Sequence, residues 1–594
     1  MIIRSRTLLF LPLWCLLGSV GWGQAVPRKF TENQNCITCH QLELEKLNSS
    51  EFLGYKKVAN EQEKAADKAA ALVWKTHDKH RDAFRLLYQA PDANDEEGAA
   101  KKRELVKNIL GFEMSDAFAD KQGYSKFAVD DESQSKVKAV QQCLNCHATW
   151  PQPAVANEPF RVPLADGVSC QVCHGAGFFW NQPHQHQWWR LVAADEKHKL
   201  GFTNVRDPVT RAELCTSCHV GDFESGRYVT HDWYAGGHPP LPGFEFSTFA
   251  SSMPVHWRSL RDKQAFEGRD DNKVPNPGVS QREDYRLQNI DIRESEVKSS
   301  YREANFPNVK HDPFLDLARL RDTIITGSVV LERYARLVER YSEEAAKPES
   351  QLNWPEFALY DCASCHHQLR SGIGYPKRPF AKQLPLGRPP AQVWPEPIAH
   401  LGAIQLAQHG PVEGAADIQK LRDAEETLSR ALTGSLKARG RVFGDPSEIK
   451  DAAKALRILA EGNANLLKGI PYDAATAKLA IQFLAEQPDA VLRDFHSARQ
   501  IAWAIQAIKL DLHDQPLRLS ETQTPIQNQI AQLFQGANQS AAGKLFLTLP
   551  ARQDGNIMRN NLMMLPGVSS YKPDDIQPML DALKADVNWL PARP

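Results

Sequence analysis

The sequence predicts a mainly α protein built in two unlike parts. Three observations carry that reading. Apolar residues recur at i, i+3, i+4 and i+7 over long stretches, while the alternating pattern of strands is scarce. Ten of the 11 cysteines fall between residues 36 and 365, and the eleventh, Cys15, lies in an apolar leader. A run of prolines (Pro376, Pro379, Pro385, Pro389, Pro390, Pro395 and Pro397) divides the cysteine-bearing part from a part with no cysteine. At 594 residues, more than one domain is expected.

At the start, Arg4 and Arg6 precede an apolar run from Thr7 to Trp22 that ends at Gly23-Gln24-Ala25. Residues 1–25 read as a secretory signal peptide with Val26 as the mature N-terminus, so the chain is expected to be exported and periplasmic. The run is short for a spanning helix, and Gly18, Gly21 and Gly23 break its end. No later segment reaches spanning length without charges, so no transmembrane segment is expected in the mature chain. Residues 26–372 form the first domain. Helical spacing marks 56–88, 98–110 and 313–346, much of the rest is loop punctuated by Pro and Gly, and 258–310 is polar and reads as irregular. Residues 373–397 form a linker whose proline density disfavours helix and favours an extended chain packed along a surface. Residues 398–594 form a second, helical domain. Its apolar spacing covers 418–438, 448–467, 473–486 and 489–511, separated by loops with Gly, Pro or Asp, which predicts an antiparallel helical array.

Five copies of Cys-x-x-Cys-His give the first domain its chemistry. They read CITCH at 36–40, CLNCH at 143–147, CQVCH at 170–174, CTSCH at 215–219 and CASCH at 362–366. With 11 Cys and 19 His in the chain, roughly 0.006 copies are expected by chance. This is the attachment motif of c-type haem: two cysteines form thioethers to the porphyrin and the histidine ligates the iron. Structural zinc sites combine two half-sites and do not fix His directly after the second Cys. The expected cofactor is five covalent haems c, bound by Cys36, Cys39, Cys143, Cys146, Cys170, Cys173, Cys215, Cys218, Cys362 and Cys365. The proximal iron ligands are then His40, His147, His174, His219 and His366. The fold class sharpens to a multihaem cytochrome c domain, helices and long loops around covalent haems, followed by a haem-free all-α region. Cys170 follows His147 by only 23 positions, so the haems of the second and third motifs are expected to be near neighbours.

The distal ligands must come from elsewhere. The mature haem region has only Met114 and Met253, too few for five irons, but ten histidines outside the motifs. Mostly bis-histidine ligation follows, which gives lower potentials than Met ligation. Local context selects five. His80 lies in a helical stretch with Trp74 and Phe84. His184 follows Phe178-Phe179-Trp180. His238 sits in Gly236-Gly237-His238-Pro239-Pro240, where small residues let the backbone approach a flat ring. His231 and His256 flank it beside Trp233 and Trp257. His400, His409, His496 and His513 lie in the haem-free part and read as structural.

These residues also carry a resemblance. Gly167-Val168-Ser169-Cys170-Gln171-Val172-Cys173-His174-Gly175 starts its motif 27 positions after the preceding one. With Arg206-Asp207-Pro208, Arg211-Ala212-Glu213-Leu214, the run Gly237 to Glu245, and Trp354-Pro355-Glu356-Phe357, it resembles the tetrahaem cytochrome c-554 group over residues 30–370. The resemblance implies a mainly helical multihaem domain with stacked haem pairs, bis-His irons and electron transfer. A fifth motif and the long haem-free C-terminal region depart from that pattern. The expected function is electron carriage between redox partner proteins, such as membrane-associated quinol oxidase or reductase complexes. The alternative is a multihaem oxidoreductase acting on a small nitrogen or sulfur compound at one five-coordinate haem; no Cys-x-x-Cys-Lys motif marks such a site. The formal net charge is −1 and no basic block is present, so nucleic acid is not an expected partner.

Overall fold

Asp and Pro set the starts of six of the named helices. The computed structural model describes residues 30, 33–40, 62–88, 96–118, 134–150, 163–185, 187–254, 256–257, 298, 301–306, 309–365, 388–409, 414–434, 443–492, 494–514 and 580. The longer and motif-bearing helices are α1 (Asn33–His40), α2 (Gln62–His77), α3 (Glu96–Leu110), α4 (Gln134–His147), α5 (Cys170–His174), α6 (Pro208–His219) and α7 (His231–Ala235). Then follow α8 (Ala318–Ala345), α9 (Glu396–Gln408), α10 (Ile418–Thr433), α11 (Pro446–Leu467), α12 (Ala474–Ala485) and α13 (Phe495–Asp514). Asp207, Asp417, Asp445 and Asp473 cap α6, α10, α11 and α12 through their side chains. Each such cap contributes about 1 kcal/mol. Pro208 and Pro446 stand at the first helical position, where the missing N–H is not needed. Strand structure among the described residues is limited to two isolated bridges, Asp222 with Arg227 and Tyr360 with Ala391. The protein is mainly α.

The helical spacing locates these elements, and the differences have local causes. The stretch 56–88 is not one helix. Asp78 adopts an extended backbone after α2 and caps a short 3-10 turn at Lys79–Asp82, and a second short helix, Ala83–Leu87, follows. The stretch 489–511 is interrupted as well. The Asp494 carboxylate accepts from the N–H and hydroxyl of Ser497 at 2.6 and 2.7 Å, and α13 starts afresh there. At the described end of the linker, Asp361 N–H donates to Pro390 O at 3.0 Å and Gln392 N–H to the Tyr334 hydroxyl at 3.0 Å. The proline run does not exclude helix throughout, however. Pro397 lies in the first turn of α9, where proline fits. The expected signal peptide, residues 1–25, and most of 258–310 fall outside the described residues.

One helix organises the packing. α8 has 28 residues, about 42 Å of rise. It buries Leu320, Ile324, Ile325, Val329, Leu331, Tyr334, Val338 and Tyr341 on several sides at once. α6, α9, α11 and α13 all pack against it. Its apolar contacts form a cluster that runs from Val209, Phe244 and Phe246 through α8 to Ile398, Leu467, Leu484, Trp503 and Ile508. The core therefore crosses the proline-rich segment: the cysteine-free helices share it with the cysteine-bearing part. Polar ties cross as well. Leu320 N–H donates to Asp511 at 2.8 Å, Gln500 to Phe244 O at 3.0 Å, and Arg457 to Glu339 at 2.5 Å. His400 is structural: its Nε2 lies 2.8 Å from Glu425, tying α9 to α10. Burial and the Glu425 charge push the neighbouring Glu396 carboxyl well up.

Two outcomes follow from this core. At Gly327 an added Cβ would lie 2.3 Å from Ile398 Cγ2 and 2.9 Å from the Ile398 carbonyl carbon. Gly327→Val should lower stability by about 1–3 kcal/mol through overpacking, read as an earlier denaturant midpoint. A chain ending at residue 397 loses α9 to α13 and exposes the apolar side of α8. It should show lost near-UV dichroism and bind a hydrophobic dye, whereas a cooperative native-like transition would contradict the shared core.

Candidate cofactor site

Helix geometry places each motif's donors together. Positions i, i+3 and i+4 share a helix face, so the two cysteines and the histidine of one motif point the same way. Three motifs end helices α1, α4 and α6, and the third forms all of α5. The fifth begins a 3-10 turn at Cys362–Ser364. His366 and the Cys39 side chain lie outside the described residues.

Four motifs open onto one cavity of about 1360 Å³. Pockets for a single small ligand usually measure about 300–1,000 Å³, so this space suits more than one. Its walls carry Cys36, Cys146, Cys170, Cys173, Cys215 and Cys218, with His40, His147, His174 and His219. Four of the five histidines selected as distal candidates also line it: His80, His184, His238 and His256. Aromatic walls come from Trp74, Trp180, Trp189, Phe244 and Phe249.

The histidines stand in opposed pairs. Ring centres lie 6.3 Å apart for His40 and His184, 6.3 Å for His80 and His219, and 6.4 Å for His174 and His256. The ring planes meet at 17°, 85° and 73° respectively. Two imidazoles bound to one metal from opposite sides, with metal–nitrogen bonds of about 2.0 Å, put their ring centres about 6.3 Å apart. Such a pair therefore leaves room for a metal ion between its rings. His147 and His238 form a fourth association, since the charge of His147 helps depress the pKa of His238.

Burial keeps most of these rings neutral. It lowers the pKa of His147 and His184, takes His174 and His238 to about 4, and takes His219 to about 3. Neutral imidazole is the form that ligates metal. His80 differs: burial opposes its charge, but the hydrogen bond and charge of Asp78 prevail and raise it. Several rings are anchored through Nδ1, which leaves Nε2 as the ligating nitrogen. His147 donates to Ala83 O at 3.0 Å, His238 to Pro239 O at 2.7 Å, and His256 to Pro254 O at 3.2 Å. His80 donates to Asp78 Oδ1 at 2.9 Å. Burial raises the thiol pKa of Cys143 and Cys170 to about 12 and of Cys215 to about 11. No disulfide joins cysteines among the described residues.

Motif proximity does not follow sequence proximity. The Cys146 thiol lies beside that of Cys218, joining the second motif to the fourth. Arg227 fixes this contact by donating to Asn145 O at 2.9 Å and Ser217 Oγ at 2.8 Å. The third motif meets the first, with α5 packed on α1 and Cys36 beside Cys170. The second and third motifs are nonetheless tied at their junction, because Ser169 N–H, next to Cys170, donates to the Thr149 hydroxyl, two residues past His147, at 2.8 Å. Thr149 N–H donates to Gly167 O at 2.7 Å, and the loop then carries Cys170 toward α1.

His231 takes a different place. It stands at the start of α7, its N–H donating to Glu356 at 2.7 Å and its ring 5.6 Å from Phe357. Tyr234, one turn on, lies close enough to Cys362 to feel its charge. α7 therefore abuts the fifth motif rather than the shared cavity. The cysteine-free region backs the cavity wall from outside. Phe244 stacks on His219 at 5.6 Å, Phe249 meets the same ring edge-on at 5.1 Å, and Trp503 of α13 backs Phe249 at 5.9 Å. Sequence reasoning missed this support, and it missed Lys197. That lysine is 5% exposed on the cavity wall, with burial first and Arg206 second lowering its pKa to about 7. Nothing in the polar run Ala194–Lys199 singles it out.

Residues 113–175 match the family model described as cytochrome c554 and c-prime. The matched segment spans the second and third motifs and supports a cytochrome c relationship there, with the covalent haem c that it implies. No curated protein and no solved structure matches the chain. Among the described residues, no helix is long and apolar enough to cross a membrane.

The loop ahead of the third motif offers a test of this geometry. Gly167 has φ +58°, and an added Cβ would lie 2.5 Å from the carbonyl oxygens of His80 and Arg81. Val168 N–H donates to the same His80 carbonyl at 2.9 Å. Gly167→Val should push the His80 turn away and speed hydrogen exchange at the Val168 amide. Unchanged exchange would mean that the loop does not hold His80.

Proposed function

We propose that this chain is a periplasmic multihaem c-type cytochrome that carries electrons between redox partner proteins. The supporting observation is the set of opposed histidine pairs, each joining one motif histidine to one histidine from elsewhere in the chain. In this reading Cys36 to Cys365 of the five motifs hold five haems c. His40 with His184, His174 with His256, His219 with His80, and His147 with His238 would hold four irons. His366 of the fifth motif and His231, on the helix beside that motif, would hold the fifth. When bound, haem c supplies a one-electron Fe(III)/Fe(II) couple.

The chain's own residues then do three things. The paired histidines would hold each iron from the protein alone, which favours electron carriage over chemistry on a small substrate. The aromatic walls exclude water and keep the interior dielectric low. Lys197 and Arg206 place positive charge in the cavity wall, where carboxylates of a haem would meet it. A carboxylate beside Lys197 would also restore the charge that burial suppresses. The cysteine-free helices act as a buttress, with Trp503 and Phe249 holding Phe244 and His219 in place. Membrane-associated quinol oxidase or reductase complexes are proposed as partners.

Two measurements check this reading. The intact mass of the purified protein should exceed that of the Val26–Pro594 chain by five haems, none extractable with acid–acetone. Three or fewer haems in a fully matured preparation would contradict it. His238→Ala should convert one iron from low-spin to high-spin without loss of its haem, because the thioethers remain. A low-spin spectrum identical to the parent's would assign His238 to structure alone.

A further inference from the structure

We propose that Asp78 is a positioning residue that gives the iron site of His80 and His219 the lowest reduction potential among the four described pairs. The inference rests on the haem reading above and concerns what distinguishes one pair from the others.

The difference lies behind the ligand. His147, His238 and His256 donate Nδ1–H to peptide carbonyls, which are neutral acceptors. His80 donates Nδ1–H to a carboxylate. The same Asp78 oxygen also accepts the His80 backbone N–H at 2.9 Å, so one atom fixes both ring and backbone. Asp78 is 7% exposed, which limits solvent screening of its charge. A carboxylate draws the Nδ1 proton more strongly than a carbonyl does, and the ring becomes a more basic ligand at Nε2. A more basic ligand stabilises ferric over ferrous iron, and a nearby negative charge acts in the same direction.

The arrangement is held from outside. Asp78 N–H donates to Trp74 O at 3.3 Å, and Trp74 Nε1 donates to Val168 O at 3.1 Å. Val168 N–H returns to His80 O at 2.9 Å, which closes a ring of contacts around the Asp78–His80 pair. His256 and the cysteines of the third motif also feel the Asp78 charge. That effect acts through space alone, whereas the His80 site receives both charge and hydrogen bond.

Spectroelectrochemical titration of the holoprotein tests this. Loss of an outer partner of a metal-ligating histidine typically costs 10–100-fold in metal affinity. A tenfold loss of ferric preference raises the potential of a one-electron couple by 59 mV. Asp78→Asn, which keeps a neutral acceptor, should raise the lowest potential by about that amount and shift the EPR signal of the same centre. Asp78→Ser keeps the helix cap without the charge and should do likewise if the Asn variant matures poorly. Asp78→Glu, which keeps the charge, should move that potential less than half as far. Unchanged potentials in Asn and Ser variants that carry all their haems, or equal shifts with Glu, would overturn the proposal. A His80→Ala variant in which every iron stays low-spin would instead overturn the ligand assignment beneath it.

Discussion

The spacing between opposed imidazoles is the constraint on which the rest of the structure depends. Ring centres held 6.3–6.4 Å apart require two distant backbone segments to meet with little tolerance. His40 and His184 stand 144 positions apart in the chain, and His80 and His219 stand 139 apart. Backbone carbonyls orient His147, His238 and His256, the Asp78 carboxylate orients His80, and burial keeps His147, His174, His184, His219 and His238 neutral. Rings this close but unbridged would leave polar nitrogens desolvated, a cost that a shared metal ion removes. Cavity, anchors and spacing therefore point to one kind of occupant.

A cavity of this size cannot support itself with the core it displaces. Its walls lean on packing elsewhere, and the cysteine-free helices provide much of that packing. Trp503 backs Phe249, Phe249 and Phe244 enclose His219, and Gln500 ties α13 to the Phe244 carbonyl. α8 connects these contacts to α6, which carries the fourth motif. The physical link between the two parts is thus a shared apolar core rather than a hinge. A region without cysteine bears on the stability of the site next to it.

What could be read from the sequence follows the range of the forces involved. The motifs are local covalent chemistry and stand out at once. The helices after residue 396 are local too, and Asp417, Asp445-Pro446 and Asp473 fix their starts to within two residues of the apolar spacing. Context around His80, His184, His238 and His256 selects residues that the fold gathers around one cavity. Which ring faces which was not legible, because it depends on chain reversals such as the Thr149–Gly167 closure. The same closure brings Thr149, just past the second motif, against Ser169, just before the third. Asp78 was hidden inside a helical pattern, since a single capping carboxylate ends α2 without disturbing the apolar period. The sharing of one core across the prolines was hidden as well, because proline density reports backbone conformation and says nothing of what packs on either side. His366 and the leader lie outside the described residues.

Low-temperature near-infrared magnetic circular dichroism of the fully oxidised protein tests the central claim most directly, because its charge-transfer bands report the axial ligands of each ferric haem. Bis-histidine ligation at four or more low-spin irons is the predicted result. A spectrum dominated by histidine–methionine ligation or by high-spin iron would contradict the pairing of the histidines.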